Sequence, residues 1–147
     1  MKKLFVLAGL IAATPVYAET SIKDLAPVQV TLKNIKTERG GQLVVFVFTE
    51  RGFPKEHDKA LLHFIAPVTQ ETTTIKIDVP KHGHFAIKAL HDENMDMKVT
   101  KNWTGVIPRD GMGFSNGVRI RLAPPSFADA RVEYHETYAP HIELQYF

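Results

Sequence analysis

Val28-Gln29-Val30-Thr31-Leu32 sets an apolar side chain at every second position and a polar one between. A strand sends successive side chains to opposite faces, so this run reads as a strand with one buried and one wet face. The same period returns at Ile75, Ile77 and Val79, at Val118, Ile120 and Leu122, and at Ile142, Leu144 and Tyr146. Residues 43–48, LVVFVF, are apolar throughout and read as a central strand covered on both faces. Runs at 83–90 and 131–134 complete the set. Turn formers separate these runs: Arg39-Gly40-Gly41, Gly52-Phe53-Pro54, Pro80-Lys81-His82-Gly83 and Pro124-Pro125. Together they predict an all-β, antiparallel sandwich of about seven strands. Helical segments are expected to be short, two turns at 55–64 and one at 126–130 with Ser126 as N-cap. An outer-membrane barrel would need strands of about 9 to 11 residues with an apolar lipid face, and most of these runs are shorter.

The leader has its own logic. Lys2 and Lys3 precede an apolar run, and Val16-Tyr17-Ala18 forms a small-x-small site, which is the layout of a signal peptide (residues 1–18) cut after Ala18. Residues 19–147 then form one domain, expected to be periplasmic or secreted. Loss of Lys2 and Lys3 leaves 16 basic residues against 16 acidic ones. That neutrality argues against a nucleic-acid or anionic-membrane binder, which would need a positive surplus. The chain has no cysteine, so stability must come from a packed core, and the lipid-attachment cysteine of a lipoprotein is missing.

Residues 113–117, GFSNG, match the nucleophile-elbow pattern G-x-S-x-G, and Ser115, Asp129 and His135 or His141 follow in Ser-Asp-His order. An elbow needs a helix after the serine, however, and an alternating run follows here. The competing reading is a tight backbone path allowed by Gly111, Gly113 and Gly117, with Ser115 and Asn116 bonding locally. No catalytic residue is expected.

The blocks His91-Asp92-Glu93-Asn94, then 107–116 with Pro108, Gly111, Gly113, Phe114, Ser115 and Asn116, then 124–130 with Pro125, Phe127 and Ala130, resemble DUF2141, an uncharacterised family of short exported bacterial proteins. The resemblance runs from about Val28 to Tyr146. It implies a seven-stranded, transthyretin-like or carbohydrate-binding-like sandwich and no established activity. Members typically carry Asn-Gly-Lys-Leu-Asp after the Asp-x-Asn, where this chain has Asp96-Met97-Lys98-Val99-Thr100.

Asp92, Asn94 and Asp96 alternate like the first three ligands of a calcium loop, and Ca²⁺ is the cofactor they suggest. The sixth and twelfth positions, which want glycine and glutamate, hold Met97 and Trp103, and Asp110 or Asn116 would have to complete the set. The alternative is an Asx-turn cluster capping backbone N–H groups. A copper reading would join His82 and His84 to Met95, Met97 or Met112, with His91 near in sequence; scattered exposed histidines are its alternative. Trp103 and Phe114 could stack on a flat ligand or plug the sandwich end. Lys76, Lys88, Arg119 and Arg121 are expected on a solvated face against Glu133 and Glu143. The connection 92–116 is long and turn-rich, which makes it the expected location of any site. The functional expectation is a non-catalytic binding or accessory module taking a small ligand. The alternatives are an assembly partner of an envelope protein, cued by a spare apolar face on LVVFVF, and a Ser115 hydrolase.

Overall fold

The computed structural model describes residues 24–147. The signal peptide and the Ala18 cut lie outside them. Eight strands occur among the described residues: β1 (Leu25–Lys33), β2 (Gln42–Phe48), β3 (Leu62–Pro67), β4 (Thr73–Pro80), β5 (His84–Asp92), β6 (Gly111–Phe114), β7 (Val132–Glu133) and β8 (His141–Glu143). They form two sheets. One has the order β4-β1-β8, with β1 antiparallel to β4 and parallel to β8. The other has the order β3-β2-β5-β6, and β7 takes the remaining part of the outer edge of β5. Among the described residues the fold is an all-β sandwich with one short α-helix, α1 (Phe127–Ala130).

The period-two residues meet between the sheets. Val28, Val30 and Leu32 of β1 and Ile77 and Val79 of β4 face Leu43, Val45 and Val47 of β2 and Phe85, Ile87 and Ala89 of β5. Ile142 and Leu144 close one end. The other face of the larger sheet carries a second core of Val44, Phe46, Phe48, Ala86, Leu90, Met112 and Phe114. Phe53, Ala60, Met97, Val99, Val118, Ile120 and Phe127, all from connecting segments or α1, lie over it. LVVFVF is therefore buried on both faces by its own chain, and the spare face that cued an assembly partner is absent.

Three expected elements differ. The 55–64 segment is not a helix: a single 3-10 turn at His57–Lys59 leads into β3, whose Leu62, Phe64 and Ala66 pack on the inter-sheet core. The alternating 118–122 run is not a strand. Val118 and Ile120 pack inward, but Ile120 finds its hydrogen bonds on the Gln145 side-chain amide (2.7 and 3.3 Å) instead of a neighbouring strand, and Leu122 is fully exposed. The long connection contains β6. The one-turn helix at 126–130 is present, with a capping box between Ser126 and Asp129.

Candidate functional site

The end of β5 carries the HDEN block, and its first two residues are buried. His91 bridges two loops. Its Nε2 lies 2.7 Å from Gly40 O, which can only accept, so Nε2–H donates. Its Nδ1 meets the Tyr146 hydroxyl at 2.8 Å, and that hydroxyl accepts from Lys36 N. Glu93 pairs with Arg39 at 2.8 Å, and the Arg39 guanidinium lies over the Tyr146 ring.

Asp92, Asn94 and Asp96 form an Asx-type cluster. The Asp92 carboxylate accepts from Asp96 N (3.2 Å), Met97 N (2.8 Å) and Gln42 Nε2 (2.9 Å). Asp96 accepts from Lys98 N and from Asn94 Nδ2. These oxygens hold the chain reversal after β5. Met97, at the position where a calcium loop wants glycine, takes the left-handed backbone at φ 64°. Among the described residues no three His, Asp or Glu side chains converge on one point. Asn116 stands at the far end of β6 from Asp110, and its Nδ2 donates to Asp129 O. His84 and His91 lie at opposite ends of β5, about 23 Å apart along the strand. Met112 sits in the outer core, so the copper set is not brought together.

Beyond the Asx cluster the chain rises into a hairpin spanning 100–109. Asp110, buried at its base, accepts from Thr100 N at 2.7 Å, and burial pushes its carboxyl above the usual range. Arg109 N donates to Thr100 O (2.7 Å), Lys101 bridges Pro108, and Asn102 N donates to Ile107 O (2.8 Å). At the tip, Asn102 Oδ1 accepts from Thr104 Oγ1 and Ile107 N, and Gly105 turns the chain at φ 73°. This ordered tip presents Trp103 at 96% exposure, Val106 at 76% and Ile107 at 48%. Trp103 therefore does not plug the sandwich. Phe114 does pack inward, edge-on to Phe53.

Ser115 is a structural serine. It is buried, its hydroxyl donates to Ala130 O at 2.6 Å and it accepts from Ile87 N at 2.9 Å. The Asp129 carboxylate serves the α1 cap, and the His135 ring meets Thr137, so neither is turned to Ser115. Of the three glycines, only Gly117 uses a positive φ. Gly111 instead lies against the Tyr146 ring and Gly113 against Ile142 and the Glu143 carbonyl, where a β-carbon would collide. Pro125 is buried and Phe127 packs edge-on to Phe53, so these motif residues too are scaffold.

Sequence reasoning missed Lys88. It points away from Ile87, as strand parity requires, yet only 3% of it is exposed because the 53–60 segment covers that face. Its Nζ donates to Pro54 O (2.9 Å) and meets His57 Nε2 (2.8 Å). His57 Nδ1–H donates to Met97 O at 2.7 Å, so Nε2 is free to accept. Burial lowers the lysine pKa to about 8. Burial first, and then the Lys88 charge, lower that of His57. The imidazole stacks on Phe46 (4.1 Å) beside a cleft of about 400 Å³ lined also by Asp58, Ala60, His63 and Met97. No spacing signal marked this pair. Arg119 does face Glu143, at 3.9 Å.

The fold and this end of the sheet define a small two-sheet β module that uses its most distinctive residues to hold a projecting hairpin. A sequence model for a family described as an uncharacterised protein conserved in bacteria (DUF2141) matches residues 30–140, and the chain belongs to that family. No curated protein and no solved structure matches the chain.

Proposed function

We propose that the protein is an exported, non-catalytic binding module of the bacterial envelope whose recognition surface is the 100–109 hairpin. The observation that carries this is the exposure of Trp103, Val106 and Ile107 together on a hydrogen-bonded turn. Side chains of that size normally leave water, and a fixed backbone that holds them out avoids ordering costs on binding. The buried block of His91, Asp92, Glu93 and Asp110 supports the reading, since its hydrogen bonds set the base from which the hairpin rises. No helix of the described residues is long and apolar enough to cross a membrane.

The test is acrylamide quenching of Trp103, the only tryptophan in the chain. Phospholipid vesicles, soluble cell-wall glycan fragments and fractionated periplasmic proteins would be offered in turn. Protection by one class, lost in a V106S/I107S variant of unchanged melting temperature, is the expected result. Quenching unchanged by all three would end the reading.

A further inference from the structure

Resting on that reading, we propose that the ligand of the hairpin is a phospholipid surface. The tip enters the interfacial layer of a bilayer while the basic residues around its base meet anionic headgroups. Residues 100–109, TKNWTGVIPR, contain two cations, Lys101 and Arg109, and no carboxylate. Lys98, just before them, is exposed as well. The neighbouring acids lie below the hairpin and not on it: Asp110 is buried on Thr100 N, Asp92 and Asp96 hold backbone N–H groups of the turn after β5, and Glu93 pairs with Arg39. The formal balance of residues 19–147 thus hides a locally basic, apolar-tipped projection. Overall charge would not hold this protein to a membrane, but a local wedge does not need it to.

The shape selects lipid over the other occupants. Three apolar side chains on a convex tip fall well short of the roughly 800 Å² per partner of a stable protein interface. A sugar platform wants free hydrogen-bonding groups beside the ring, whereas the flanking Thr104 Oγ1 and Asn102 Oδ1 are bonded to each other and the rest of the tip is Val106 and Ile107. A bilayer interface asks only for an aromatic ring with one polar edge, a few aliphatic groups and cations behind them. From the Lys101–Pro108 bridge to the turn is about two to three residues, or about 7 to 10 Å of strand. That length matches the roughly 5–10 Å to which interfacial segments bury.

The experiment uses the chain without residues 1–18, so that the apolar leader cannot contribute. Both sheets and both cores lie within the remainder. Vesicles of phosphatidylcholine alone and of phosphatidylcholine with phosphatidylglycerol (about 3:1) are titrated while Trp103 emission is followed, with brominated lipids as depth quenchers. The expected result is a blue shift, with strongest quenching by bromines near the headgroup end of the acyl chain. In flotation, W103A should lower partitioning on the order of tenfold. K101E/R109E should remove the preference for phosphatidylglycerol, since each charge near an anionic surface contributes about fivefold. All three positions are exposed, so the variants should melt with the parent. Emission and flotation unmoved at millimolar lipid, or binding indifferent to W103A, would overturn the proposal. If glycan or a periplasmic protein protects Trp103 while vesicles do not, the lipid ligand falls and the hairpin remains a recognition surface. If none of the three does, both readings fall.

Discussion

Lys88 holds an ammonium group between Pro54 O and a neutral imidazole, with no carboxylate among its bonded partners. In the unfolded chain it keeps its proton to about pH 10.5, and in the fold it loses it near 8. Between those values the unfolded state binds more protons, so stability rises with pH across that window. Below pH 8 the fold carries the full cost of the buried charge, on the order of 3 kcal/mol. Tyr138, raised to about 12 by burial, acts in the opposite direction above pH 10. Urea midpoints of the wild-type protein should therefore climb from pH 8 to about 10, and K88M should be flat over that range. A wild-type profile as flat as the variant's would mean that Lys88 is hydrated. His57 works at the acid end: its depressed pKa means that acidification below about 6.5 protonates the unfolded chain first and lowers stability. A second residue offers a simpler gain. Met95 is 63% exposed with φ 57°, a backbone that costs a non-glycine residue about 1 kcal/mol and that asparagine tolerates. M95N should raise the melting temperature by up to about 4 °C.

At the scale of elements, the hairpin depends on one buried acid at its base. Asp110→Ala removes the acceptor of Thr100 N and should cost about 1–3 kcal/mol. It should also free the tip, seen as a lower Trp103 fluorescence anisotropy in a protein that remains folded. Ser115 joins the turn after β6 to both β5 and α1, so Ser115→Ala strands Ile87 N and Ala130 O. A loss of about 2–4 kcal/mol is expected in urea unfolding, whereas a nucleophile with no structural role would leave stability unmoved. These two residues show where the sequence was readable. Strands whose alternating residues meet a partner sheet, such as 28–32 and 75–79, could be placed from period alone. The 118–122 run has the same period but takes its hydrogen bonds from a side chain, which no pattern records. Lys88 was assigned to the correct face of β5. Only the cover over that face was invisible, because it is built by the 53–60 loop. The length of the 92–116 connection was legible, while the hairpin within it depends on backbone bonds that composition does not encode.

Across the whole molecule, β2 and β5 contribute side chains to both cores, so neither core can open without disturbing the other. The domain should therefore unfold in a single step, and far-ultraviolet dichroism and near-ultraviolet tyrosine signals should fall together in urea. Trp103 stands outside that unit. Its ring is as exposed in the fold as in an unfolded chain, and its hairpin is tied to the body by few contacts beyond Asp110. Its emission maximum should accordingly already sit at the water-exposed position in the native protein. It should move by only a few nanometres through a transition in which the other probes lose their full amplitude. A large red shift on unfolding would place the indole in a core or against another copy, and would withdraw the exposed tip on which the recognition surface depends. Near constancy in buffer, joined to a blue shift with lipid, would identify binding as the only event in this protein that takes Trp103 out of water.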